Sequence, residues 1–157
     1  MTKDLFLFRL NKLASITGQP LIRLCEGRYG ITRREWRLIV TLAREGALLS
    51  TRLAEQARIE PARTSRAVTL LAEKGLVTRV PRAHDRRYVE IRLTERGQGI
   101  FEALYPTVVD MNTRLLSGLS EADRATLDRL FAGLEQRAIA IMQEPGLPKA
   151  DRRRKGR

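Results

Sequence analysis

The first apolar positions of the chain, Leu5, Phe6, Phe8, Leu10, Leu13 and Ile16, recur at mixed three- and four-residue intervals, which predicts a helix buried on more than one side. Gly18 and Pro20 interrupt the run. Proline lacks an amide donor and crowds the preceding turn, so a kink or break is expected before residues 21–28 resume the helix and Gly30 stops it. Thr32 with Glu35 has the spacing of a capping box, and Trp36, Ile39, Val40, Leu42 and Ala43 form the apolar face of a second helix that Gly46 ends. Residues 47–49 predict a short strand. Ser50 and Thr51 then cap a third helix carrying Leu53, Ala54 and Ala57, and after a turn Pro61 opens a fourth through Val68, Leu70 and Leu71, with Gly75 as its stop. Two short helices joined by a tight turn outline a helix-turn-helix.

Beyond Gly75 the period changes. Residues 76–80 read as a strand, 81–86 as a polar turn and 88–93 as a returning strand with alternating faces, and a hairpin appended to a helix-turn-helix is a wing. Thr94 caps a long helix to about residue 116, weakened by Gly97 and Gly99 and open to bending at Pro106. After Gly118, Ser120 and Asp123 cap a last helix with the stripe Leu127, Leu130, Phe131, Leu134, Ile139 and Met142. The expected fold is mainly α with a small β-hairpin wing. Its winged helix-turn-helix lobe spans 31–97, its helical region for association spans 1–30 and 98–146, and a disordered basic tail spans 147–157.

Charge sharpens this division. The chain of 157 residues carries a formal net charge of +12. Residues 58–96 hold 10 Lys/Arg against 5 Asp/Glu, residues 97–148 hold 4 against 7, and residues 149–157 hold 6 against 1. A basic middle followed by an acidic stretch suits one surface made for polyanions and another facing protein or water. Cys25 and His84 are the only residues of their kinds, so an internal disulfide and the usual clustered zinc ligands are excluded, and no cofactor or metal is expected. No signal-peptide pattern opens the chain, and no apolar run approaches the ~18 residues of a membrane span. A cytoplasmic protein is expected.

A recognition helix needs small or polar side chains near its start to meet base edges, and cations to hold phosphates. Arg63, Thr64, Ser65 and Arg66 follow Pro61 in that arrangement. A solvated basic helix face is the plainer reading of such a segment alone; its place between a helix-turn and a wing favours DNA. Ser50 and Thr51 lie where free amides and the helix dipole favour a phosphate, although capping explains them equally. The wing turn holds Arg82, Arg86 and Arg87 around Asp85. An arginine on a narrow tip fits the minor groove, with Asp85 orienting a neighbouring guanidinium.

Leu53-Ala54-Glu55, residues 63–66, the phrase from Leu70 to Val77 through Glu73-Lys74-Gly75, and above all Asp85-Arg86-Arg87 followed by residues 91–97 (Ile-Arg-Leu-Thr-Glu-Arg-Gly) together resemble the MarR family of bacterial regulators over residues 5–143. The resemblance implies a homodimer built on the first and last helices, the helix from Pro61 in the major groove of double-stranded DNA, and Arg86 in the minor groove. It also implies a small-molecule effector between dimer helices and DNA lobe, near Trp36. Glu35-Trp36-Arg37 is similar to members that sense aromatic acids or aromatic acyl thioesters. Arg9, Arg23 and Arg37 can pair with a ligand carboxylate or make ordinary surface ion pairs, and a tryptophan on an apolar helix face ordinarily packs in a core. The expected function is a ligand-responsive repressor on a palindromic operator.

Rival classes have visible marks. A winged-helix protein-interaction module would carry a wing and recognition helix poor in cations. An oxidant sensor would use Cys25, which sits late in the first helical region and reads as a buried structural thiol. A hydrolase would need a partner for His84, which lies in an arginine-rich turn with no orienting group at a recognisable spacing, so no catalytic residue is assigned.

Overall fold

The structure, a computed structural model, describes residues 5–81 and 88–146. Its elements run α1 (Phe6–Tyr29), α2 (Arg33–Glu45), β1 (Leu48–Leu49), α3 (Ser50–Gln56), α4 (Pro61–Glu73), β2 (Val77–Pro81), β3 (Val89–Leu93), α5 (Glu95–Leu115) and α6 (Glu121–Met142). The chain divides into two compact units, Met1–Asp110 and Met111–Arg157.

In the first unit α2 is set by its cap: the Thr32 hydroxyl accepts from the Glu35 amide at 3.2 Å, and the Glu35 carboxylate accepts from the Thr32 amide at 2.6 Å. Its buried face, Trp36, Leu38, Ile39 and Leu42, forms the centre of a core to which α1 adds Cys25, α3 adds Leu53, α4 adds Val68 and Leu71, and α5 adds Leu104. Pro61 stands at the start of α4 as expected, and Gly75 turns the chain out of it at φ 69°. The turn from α3 to α4 places Arg58, a residue with a side chain, in the left-handed region at φ 50°. The sheet has the order β1-β3-β2, antiparallel throughout, with Arg79 opposite Ile91 and Leu48 also opposite Ile91 on the other edge. At its base Thr94 caps α5. Its hydroxyl donates to the Gly75 carbonyl at 2.7 Å and accepts from the Gly97 amide at 3.1 Å.

Two expectations at helix boundaries need correction. The break at Gly18–Pro20 is absent: α1 is one helix with Pro20 inside it. One lost backbone bond is outweighed because Leu21, Leu24 and Cys25 beyond it pack on the core, and the Ile31 amide closes the C-terminal end on the Cys25 carbonyl at 3.1 Å. Ser50 is the first helical residue of α3 rather than its cap, which is Leu49. Leu49 is still paired with Glu90 in the sheet, so the chain passes from strand to helix with no residue left between them. Pro106 likewise lies within α5.

The second unit holds the end of α5 and the helix α6. A capping box again sets the start: the Ser120 hydroxyl accepts from the Asp123 amide at 3.2 Å and donates to the Asp123 carboxylate at 2.6 Å. The Ser120 hydroxyl first, and then the Ser120 amide at 3.2 Å, both donating to the Asp123 carboxylate, hold it below the usual carboxylate range. No residue of α6 is buried within the chain.

Candidate nucleic-acid interface

The inward face of α4 is Thr64, Ala67, Val68 and Leu71, spaced as one side of a helix requires. The remaining turn of the cylinder therefore presents Arg63, Ser65 and Arg66, all exposed, at the end of the helix that Pro61 opens. Arg63 is steadied by Glu60 one turn back, at 3.4 Å. Thr64 leaves this group. It is fully buried, and its hydroxyl donates to the Glu60 carbonyl at 3.1 Å, so it holds the first turn of α4 instead of reaching a base edge.

The strand β2 adds a cation that the sequence pattern did not flag. Arg79 donates from Nη2 to the Thr69 hydroxyl of α4 at 3.0 Å, and Thr69 in turn donates to the Ser65 carbonyl at 3.1 Å. Ser50, Ser65 and Arg79 line one cleft of about 250 Å³ with Val68, Val89 and Ile91. Start of α3, exposed face of α4 and wing strands thus meet in a polar-edged notch suited to an anionic oxygen. The sign of Arg79 was in the strand parity: it shares a face with buried Val77 and stands opposite buried Ile91, where an apolar side chain is the rule. Thr51 is exposed on the first turn of α3. Arg82, Asp85, Arg86 and Arg87 lie outside the described residues.

The effector candidates are not brought together in either of the clefts described. Trp36 is buried and stacks with Phe101 of α5 at a centroid distance of 6.1 Å, and Phe101 meets Tyr105 at 4.9 Å. Trp36 is therefore a core residue. Arg9, Arg23 and Arg37 are exposed on α1 and α2. Neither the notch at Ser65 nor a shallower cleft of about 390 Å³ beside Leu42, Arg92 and Gln98 includes any of the four. Cys25 is fully buried, and desolvation, with the Glu26 charge second, pushes its thiol up to about 11. A thiol held protonated in this way is a poor nucleophile. Among the described residues no cluster of His, Cys, Asp or Glu can hold a metal ion, and no helix is long and apolar enough to cross a membrane.

Sequence reasoning also missed a charge pair away from this face. Glu35, 1% exposed, and Lys74 at the C-cap of α4 meet at 2.8 Å.

The sequence profile of the MarR family matches residues 29–87, the segment from the end of α1 into the wing. The HTH-type transcriptional repressor MdtR of Bacillus subtilis (strain 168) is 26% identical over 120 residues, which cover 76% of this chain and 77% of that one. The crystal structure of a MarR family transcriptional regulator from Silicibacter pomeroyi DSS-3 is 30% identical, with a TM-score of 0.72 over 85% of this chain and 98% of that one. Bordetella bronchiseptica BpsR, whose DNA binding is described as regulated by 6-hydroxynicotinic acid, shares the fold at a TM-score of 0.76 and 17% identity, over 86% of this chain and 96% of BpsR.

Proposed function

The chain belongs to the MarR family of transcriptional regulators, and on that premise we propose that it is a homodimeric repressor of a palindromic operator, released by a small aromatic carboxylate or its thioester. The observation that carries the DNA reading is the exposed set Arg63, Ser65 and Arg66 on one face of α4, flanked by Ser50 and Arg79 in the notch beside it. In this reading Arg63 and Arg66 meet base edges and Ser65 a base edge or phosphate. Ser50, Thr51 and Arg79 hold backbone phosphates, and the wing residues Arg82, Arg86 and Arg87, oriented by Asp85, enter the minor groove. The two half-sites then lie about one helical turn, ~10 base pairs, apart. Repression is the stated role of the relative MdtR, and the ligand of BpsR is itself an aromatic carboxylate. Release requires that the ligand bind the two lobe arrangements unequally.

The test is selection of duplexes from genomic DNA by the purified protein, then a salt titration on the best duplex and a scrambled copy. A palindromic footprint with a large affinity ratio between the two is expected. Equal, salt-sensitive affinity for both would overturn the operator reading and leave a lobe that coats nucleic acid through charge alone.

A further inference from the structure

Three helix ends converge on the pair noted above. Lys74 Nζ donates to both carboxylate oxygens of Glu35, at 2.8 and 2.9 Å, and to the carbonyl of Gly30 at 2.8 Å. An ammonium has three protons to donate, and here all three have acceptors. Glu35 accepts three bonds in turn, since the oxygen at 2.9 Å from Lys74 also takes the Thr32 amide. Gly30 is the left-handed residue that ends α1, Glu35 lies in the first turn of α2, and Lys74 caps α4. One ion pair, its carboxylate buried and its ammonium about a third exposed, therefore fastens the C-cap of the candidate reading helix to the junction of α1 and α2. These partners are 39 and 44 residues apart in sequence, so the bond is tertiary and not a local cap.

Energy alone is a weak reason for such a pair. Burying the Glu35 carboxylate costs much of what its attraction to the part-exposed Lys74 ammonium returns, and well-packed apolar replacements often hold a fold equally well. Geometry gives a stronger reason. The far end of α4 carries Arg63, Ser65 and Arg66, and 13 residues at 1.5 Å each make a lever of about 20 Å. A tilt of about 3° at Lys74 moves the other end by about 1 Å, enough to spoil bidentate hydrogen bonds to a base. Apolar contacts slide under such a tilt; three short charge-assisted bonds at one nitrogen do not.

We propose that Glu35 and Lys74 are a positioning pair that sets the angle at which α4 leaves the α1–α2 junction, and that specific DNA readout depends on it more than stability does. The role in readout rests on the regulator function proposed above. The test compares wild type with Lys74→Met, Glu35→Leu and the double variant, which keeps the net charge and so leaves the salt dependence of binding in place. Lys74→Met strands a buried carboxylate and lowers the melting temperature by about 5 °C. The double variant no longer strands a charge and recovers part of that loss, the remainder being the acceptor that Glu35→Leu takes from the Thr32 amide. Even so, hydrogen exchange at the Lys74, Gly75 and Leu76 amides, which close the end of α4 on Leu70, Ala72 and Leu71, speeds up about tenfold. The affinity ratio between the selected duplex and its scrambled copy falls about tenfold, with the scrambled affinity unchanged.

Wild-type exchange in the double variant, or a wild-type affinity ratio, overturns the proposal and leaves the pair as filling. If wild type itself does not distinguish the two duplexes, the regulator reading fails, and the exchange rates alone then judge whether the pair holds α4.

Discussion

Gly97 shows how little freedom one position in this fold has. A Cβ there would run into the carbonyl of Leu76, which already accepts from the Thr94 amide at 3.1 Å, and would press Leu93 Cδ2 at 3.2 Å. The obstacle is backbone held by its own hydrogen bond, so it cannot swing away as a side chain does. Gly97→Ala is expected to cost about 2–3 kcal/mol, seen as a drop of roughly 6–8 °C in a thermal melt followed by circular dichroism. Cys25 makes a different residue-level case. Its folded pKa of about 11 lies above the ordinary 9.0, so between these values the folded chain keeps a proton that the unfolded chain releases. The stability held below pH 9 is therefore lost as pH rises toward 11. Wild type should lose stability relative to Cys25→Ala across that window, and a disulfide reagent near neutral pH should find the thiol only after denaturant is added. Fast labelling of the native protein would return Cys25 to consideration as an oxidant sensor.

At the scale of one helix, α4 separates reading from holding. Arg66→Ala removes an exposed cation from the proposed groove-facing side and should lower affinity for the selected duplex more than for a scrambled one. Thr64→Ala removes a buried hydroxyl that bonds the Glu60 carbonyl and should instead cost about 1 kcal/mol of stability, with the affinity ratio kept. The reverse pattern in a parallel titration and melt would put Thr64 back at the bases. The two residues stand in one run of small and basic side chains, and only the radial position on the folded helix tells them apart. What was legible in the sequence had a local cause: the Thr32–Glu35 and Ser120–Asp123 boxes, Pro61 at the start of α4, Gly75 after its end, and the alternation of the wing strands each follow from neighbours within four residues. What was not legible had a distant one. Pro20 is tolerated because residues after it find a core, Arg79 is held by a threonine ten positions away, and Lys74 finds Glu35 across 39 residues. Local pattern names none of these partners; strand parity marks Arg79 as out of place but not the threonine that holds it.

For the whole molecule the decisive feature is α6, an element that a lone chain does not bury. Leu130 is 51% exposed and Met142 78%, with Phe131, Leu134 and Ile139 also exposed along the same helix. A monomer rarely leaves so many large apolar side chains to water along one element, and the same excess appears at the other end of the sequence, where Leu5, Phe6, Leu7 and Phe8 of the α1 region are each at least half exposed. A second copy of the chain is the occupant proposed above, and it makes a linked demand on DNA binding, because a palindrome is read with full affinity only by two lobes held at a fixed spacing. Removal of residues 149–157 tests charge apart from assembly: the dimer should persist, and the slope of log affinity against log salt should become shallower by about one unit for each phosphate that the tail no longer neutralises, equally on selected and scrambled duplexes. Leu130→Arg with Phe131→Arg tests assembly apart from charge placement on the DNA face. Sedimentation should then show a monomer with its winged lobe still folded, since α6 contributes nothing to the core around Trp36. That monomer should bind a half-site and a full palindrome with nearly equal affinity, whereas wild type strongly prefers the palindrome. A variant that sediments as a dimer would move the interface away from α6. A monomer that still prefers the palindrome would mean that DNA, and not the apolar stripe, brings the two copies together.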